Sequence, residues 1–438
     1  VRARAAATAV AWNSQLTSST LKPPLDPARD RTSPVAESPQ PAAHERLAGL
    51  DGVRGIAVLA VMAYHFALFA DLPAGETWLD STVATVTNTG WVGVDLFFVL
   101  SGFLITGILY DATSSPSGYF RAFYGRRALR ILPVYFGFLA VLLWLLPAVR
   151  AMHSADFREL RSSQLWFWGF SANIWMAGRE WFEANLYGTG HLWSLAIEEQ
   201  FYIVWPAIVL LFARRGLAAI AVLAIIFPFV LRVVLWQVDA RPYTIYVLTP
   251  ARLDGLAVGA MIALCVRDAG SRARLLRLRV PAAALALVAL TVILVTQGEI
   301  DPYNRWMQYA GFSALAVLFG AVVATVATGS TGVLRAVTHM RLLRATGRYS
   351  YALYVFHVPI ATWLAWNTDI ASWPPAVHDS YLPGRLLFGA VAGALTFAAA
   401  IASWHLYESQ FLKLKDRLPY GAPRPVLAEA EAVAPRAR

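Results

Sequence analysis

Long apolar runs separated by short connections fill the chain from about residue 50 to residue 410. Runs of about 17–25 residues with few charges match the length of helix that crosses a bilayer core. Ten such spans are predicted, at about 52–70, 90–110, 129–148, 192–213, 216–236, 244–266, 280–297, 307–328, 349–370 and 385–408. Backbone groups in hydrocarbon must be satisfied within each segment, so these runs read as helices. The expected fold is therefore all-α, a polytopic membrane bundle of about ten transmembrane helices. Only Arg214 and Arg215 lie between spans four and five, which are expected to be antiparallel neighbours.

The arginines give the bundle an orientation. With a cytoplasmic N-terminus, the inner connections hold Arg121, Arg126, Arg127, Arg130, Arg214, Arg215, Arg267, Arg272, Arg274, Arg277 and Arg279. They also hold Arg335, Arg341, Arg344 and Arg348, and Lys413, Lys415 and Arg417 follow the last span. The outer connections hold Arg150, Arg158, Arg161, Arg179, Arg241, Arg305 and Arg385. That bias predicts cytoplasmic termini in a cell membrane. The largest outer connection, 149–191, carries Trp166, Phe167, Trp168, Phe170, Trp175, Trp181 and Phe182, a composition suited to the lipid interface. Residues 1–45 are rich in Pro, Ser, Thr and Ala without sustained periodicity and read as a disordered cytoplasmic tail. Residues 46–412 form the membrane domain and 413–438 a short tail. Ala5 to Trp12 faintly resembles a signal sequence but is short and ends at Asn13.

Composition sharpens this picture. The chain is 58% hydrophobic and 15% charged, and its net charge is +10. That charge lies in connections between apolar spans rather than in one basic face, which argues against a nucleic-acid partner. Cys265 is the single cysteine, so no intrachain disulfide forms and no thiolate metal site is indicated. His44, His153, His339 and His378 belong to no metal-spacing cluster, and His405 can pair with Glu408. The chain has no Walker A loop, no His-Glu-x-x-His and no nucleophile elbow.

A charge inside a span costs about 2.5–3.5 kcal/mol on insertion scales, so each needs a partner or a task. Arg54 and His65 share span one, eleven residues apart. At about 100° per residue both point the same way, about 16 Å apart along the axis. Glu198 on span four is expected at His65's level, with His191 two turns earlier on the same face. Asp95 lies on the outer half of span two, with Ser101 and Gly102 nearer the midplane. Arg252 and Asp254 lie in span six and can pair with each other or with neighbours. His357 is expected in the inner half of span nine, on the face of Tyr354. An imidazole beside a carboxylate suits proton transfer, and the alternative is a buried pair that holds helices together. Arg126, Arg127 and Arg130 precede span three. Their guanidinium forks suit phosphates, but they equally suit ordinary membrane anchoring. Pro133 fits a first-turn or hinge position. Leu50-Asp51-Gly52 recurs as Leu253-Asp254-Gly255, too short a match to establish a repeat.

Six stretches together resemble the acyltransferase 3 family of membrane O-acyltransferases: LDGVRGIAVLAVMAYHF from Leu50, GWVGVDLFFVLSGFLIT from Gly90, FYGRRALRILPVYF from Phe123, HLWSLAIEEQFYIVWP from His191, RLDGLAVGA from Arg252 and GRYSYALYVFHVPI from Gly347. The resemblance implies transfer of an acetyl or short acyl group from acyl-CoA, with acetyl-CoA as the expected donor and no permanently bound cofactor. It implies a hydroxyl acceptor on a glycan or a macrolide-type natural product. The family's Arg-x10-His falls on Arg54 and His65, and its Arg-Arg-x-x-Arg on Arg126, Arg127 and Arg130. Its Trp-Ser-Leu pattern falls on Trp193, Ser194, Glu198, Gln200 and Tyr202. The expected roles are catalysis by His65 with Glu198, and CoA phosphate binding by Arg54, Arg126, Arg127 and Arg130. Support is expected from Asp95, Ser101, Trp193, Ser194, Gln200, Tyr202, Asp254, Tyr354 and His357. The chain reads as the stand-alone kind, and its Ala/Arg-rich composition adds a modest association with macrolide-modifying members. A transporter or acyl conduit lined by the same residues is the alternative.

Overall fold

A computed structural model describes residues 43–71, 77–113, 118–149, 154–180, 183, 185–370, 376–377 and 379–420. Most of both expected tails lies outside these residues, as do His153, Trp181, Phe182 and His378. The described residues form helices and no strand.

Ten principal helices carry the ten expected spans: α1 (Ala43–Ala70), α2 (Gly93–Ala112), α3 (Tyr119–Ala140), α4 (Trp193–Leu211), α5 (Arg214–Gln237), α6 (Leu253–Cys265), α7 (Ala269–Gln297), α8 (Phe312–Gly329), α9 (Arg341–Asn367) and α10 (Leu382–Ser403). Among the described residues, eight helices are long and apolar enough to cross a membrane. Two of the ten fall outside that set for different reasons. α6 has only 13 residues. α9 has 27, but residues such as Tyr349, Ser350, Tyr351, Tyr354 and His357 lower the mean hydropathy even of its charge-free stretch.

Close helix packing depends on glycine. α1 packs most extensively on α9. A Cβ at Gly347 would fall on the Asp51 carbonyl, and one at Gly52 on the Thr338 carbonyl. α2 and α6 approach equally closely, with Gly102 against the Leu256 carbonyl and Gly259 against the Val99 carbonyl. Lipid supplies little hydrophobic drive between helices, so such backbone approach is a main source of packing energy.

Two sequence expectations need correction. Span six is not one helix. It comprises a short helix, Pro242–Val247, a turn at Thr249–Ala251, and α6. The chain turns extended at Leu248 (φ −72°, ψ 126°), and Pro250, which has no N–H to give to a continuing helix, sits in the first turn of the element that follows. Nor are spans four and five close neighbours. Despite the short link, α5 packs mainly on α6. Its fully buried Arg232 donates to the Ala251 carbonyl at 2.6 Å, capping the backbone exposed by the break. Satisfying that buried carbonyl outweighs the preference that a short loop expresses.

Candidate active site

α1, α2, α3, α4 and α9 surround a cavity with about 780 Å³ of empty space, its open mouth included. Arg54, Arg127 and Arg130 line it, together with Glu198 and Glu199. On α4 the helical period places Ser194, Glu198 and Tyr202 in one stripe facing this space. The Tyr202 hydroxyl donates to Glu198 at 3.3 Å and also hydrogen-bonds Ser101 of α2. The Arg127 guanidinium lies 4.8 Å from the centre of the Tyr202 ring. Arg54 keeps a 3.1 Å ion pair with Asp51, one turn earlier. The cavity therefore offers three guanidinium groups to an anion, with the two carboxyl groups of Glu198 and Glu199 beside them.

A second space, about 350 Å³, is lined by Tyr64, His65, Trp91, His191, Trp193, Tyr246 and Tyr303. Val94 and Tyr354 line both cavities. The Tyr354 hydroxyl hydrogen-bonds Ser194 at 2.5 Å and donates to the His191 carbonyl at 3.3 Å. Three buried imidazoles meet here. The His65 and His357 rings are 4.9 Å apart between centres, and those of His191 and His357 are 5.1 Å apart. His65 Nδ1 lies 3.2 Å from His357 Nε2 and 3.0 Å from the Val61 carbonyl oxygen. Neither ring nitrogen of His191 makes a hydrogen bond of normal geometry.

The structure redistributes the residues singled out in the sequence. His65 and Glu198 line different cavities, and His65 gains a histidine partner rather than the expected carboxylate. His357 is level with His65, not in the other half of the bundle. α9 begins at Arg341, earlier than the predicted span, so His357 is sixteen residues into its helix. His65 is seventeen residues beyond Ala48, where the apolar part of α1 starts. Arg126 leaves the arginine group and donates to the Lys415 and Leu418 carbonyls at 3.0 and 3.2 Å. Asp95 and Asp254 form buried ion pairs, with Arg252 at 2.8 Å and Arg232 at 3.0 Å. Gln200 ties α4 to Asn173 and Thr249. Trp193 packs against Tyr246 with the rings tilted and their centres 4.6 Å apart, and walls the histidine cavity.

Sequence reasoning passed over Glu199, Tyr64 and Tyr303 at the cavities and Arg232 behind them. Arg232 had the same signal as the others, a guanidinium inside an apolar run. The tyrosines had none, because an aromatic residue in a span is ordinary. Among the described residues no cluster of His, Cys, Asp and Glu could hold a metal ion.

Residues 47–405, which carry both cavities, match the acyltransferase 3 family model, described as an acyltransferase domain. The chain belongs to the acyltransferase 3 family. It is 29% identical over 330 residues to a Bacillus subtilis protein provisionally named a peptidoglycan O-acetyltransferase, covering 72% of this chain and 49% of that relative. It is 27% identical over 327 residues to a Listeria monocytogenes peptidoglycan O-acetyltransferase, covering 72% and 49%. A Staphylococcus aureus protein provisionally named an O-acetyltransferase is 25% identical over 381 residues, covering 83% and 57%. The chain thus spans about half the length of the curated relatives it matches. No solved structure matches it. Family and helices together make this acyltransferase 3 chain a multi-pass membrane protein.

Proposed function

We propose that the protein transfers an acetyl or other short acyl group from acyl-CoA to a hydroxyl of a glycan. One observation carries the reading. α1 presents Arg54 to a cavity lined by three arginines and His65 to an adjoining cavity of histidines and tyrosines, and the two share Val94 and Tyr354. Arg54, Arg127 and Arg130 hold the CoA phosphates, to which guanidinium forks are matched. The pantetheine arm runs along α1 past Tyr354, bringing the thioester to His65. The acceptor hydroxyl loses its proton to His65 as its oxygen attacks the thioester carbonyl. The carbon–sulfur bond then breaks, and the CoA thiolate takes the proton from the imidazolium. A base placed within hydrogen-bond reach of the acceptor contributes about 10²–10⁴-fold.

The Arg54 end of α1 faces the cytoplasm in this reading, where acyl-CoA is made, in agreement with the arginine bias of the connections. The relatives' names favour a glycan acceptor over a macrolide, and an acetyl group over longer acyl groups. The test uses purified protein in detergent with labelled acetyl-CoA and a panel of peptidoglycan fragments, polysaccharides and macrolides. The expected result is acceptor-dependent release of CoA, and a loss of about 10²–10⁴ in kcat for a folded His65→Ala variant. Full turnover by that variant would remove His65 as the base. Acyl label retained on wild-type protein without acceptor would replace direct transfer by an acyl-enzyme. Passage of label across proteoliposomes with no CoA released would indicate a conduit.

A further inference from the structure

We propose that His357 is a positioning residue that holds His65 in one tautomer, with the proton on Nδ1 and the lone pair on Nε2. The proposal rests on the reading of His65 as the base and specifies which of its nitrogens acts. The argument begins on α9. His357 Nδ1 lies 2.7 Å from the Tyr354 carbonyl oxygen and 3.2 Å from that of Leu353. Carbonyl oxygens only accept, so this nitrogen carries the proton. In the neutral ring the other nitrogen, Nε2, then presents a lone pair. That lone pair points at His65 Nδ1, 3.2 Å away.

His65 Nδ1 therefore faces two acceptors, His357 Nε2 and, at 3.0 Å, the Val61 carbonyl oxygen. A lone pair there would meet both and satisfy neither, in a site where His65 is 5% and His357 0% exposed. A proton on Nδ1 satisfies both with one shared hydrogen bond. The tautomer follows: Nε2 of His65 is the nitrogen able to take the acceptor's proton. The same two acceptors stay engaged once His65 becomes an imidazolium, so no group turns during the step. A partner on one ring nitrogen setting the state of the other is the general way proteins assign a histidine tautomer. His357 itself is held by backbone carbonyls of its own helix, which no side-chain motion can withdraw.

The experiment uses the full chain and compares His357→Leu, His357→Gln and His65→Ala with wild type. Leucine fills the space and accepts nothing. The Gln carbonyl oxygen restores an acceptor for His65 Nδ1. The expected result for His357→Leu is a loss of about 10–100-fold in kcat with the KM for acetyl-CoA little changed. His357→Gln should recover most of that loss, which a purely structural role would not produce. ¹⁵N spectra of histidine-labelled wild type, with His65 signals assigned by their absence in His65→Ala, read the tautomer directly and need no folded Leu variant. Protonated Nδ1 and unprotonated Nε2 are expected. The reverse tautomer, an unaffected His357→Leu, or a Gln variant as impaired as Leu would overturn the proposal. Full turnover by His65→Ala would instead overturn the underlying reading, and this inference with it.

Discussion

The motif Arg126-Arg127-x-x-Arg130 places three like residues on one turn, yet the structure divides their work. Arg127 and Arg130 line the cavity assigned to the donor phosphates. Arg126 grips two backbone carbonyls of the C-terminal segment and lies 5.5 Å from the centre of the Tyr420 ring. Replacing Arg127 by Gln removes one charge-assisted contact to phosphate, worth about 1.5–3 kcal/mol. At about 1.4 kcal/mol per tenfold, the KM for acetyl-CoA should rise about 10–150-fold. The Tyr202 ring also loses its cation, so Arg127→Lys, which keeps charge but not the fork, should fall between wild type and Gln. Arg126→Gln loses its hydrogen bonds to Lys415 and Leu418, which loosens residues 409–420 and leaves the donor KM within about twofold. Donor saturation curves at saturating acceptor read the first effect, and limited proteolysis of the C-terminal segment reads the second. An equal rise in donor KM for Arg126→Gln and Arg127→Gln would refute the division.

The buried ion pair behind the site makes a stability prediction. Asp254→Ala leaves Arg232 buried with only the Ala251 carbonyl and Ser313 as hydrogen-bond partners, and should cost about 3–5 kcal/mol. Tryptophan-monitored melting in detergent checks this, and an Asp254→Ala protein melting with wild type would contradict the account. Gly102→Val drives a side chain into the Leu256 carbonyl and should abolish the monodisperse folded fraction in size-exclusion chromatography. Gly389→Val, with nothing within 4 Å of the added carbon, should leave that fraction intact; equal behaviour of the two glycines would refute backbone-limited packing.

Apolar length made the helices legible, because hydrocarbon admits few backbone alternatives. It was less informative about their ends. α9 runs eight residues beyond the predicted start of its span, since arginines at a helix mouth remain helical while lowering the hydropathy that marks a span. Charge counting therefore located the connection and truncated the helix, and the depth assigned to His357 inherited that error. The break in span six was signalled by Pro250, but a proline alone does not say whether a helix kinks or stops. Arg232 decides it here, by supplying the donor that the freed Ala251 carbonyl needs.

Relations within one helix were readable, and relations between helices were not. Arg54 and His65 needed only a helical period to share a face, and they line adjoining cavities. Pairing His65 with Glu198 needed the rotation of α4 about its axis, which depth does not supply. The outcome has a chemical consequence. Glu198 sits among the arginines of the other cavity. His65 sits among aromatic rings and two other imidazoles, with Asp95 and Asp254 engaged by their own arginines. A carboxylate beside His65 would draw the incoming proton strongly and resist returning it to the departing thiolate. A neutral imidazole partner accepts from Nδ1 without that excess, so proton uptake and return stay closer to balance. In the proposed reaction the anion-binding charges thus lie in one cavity and the proton transfer in the next.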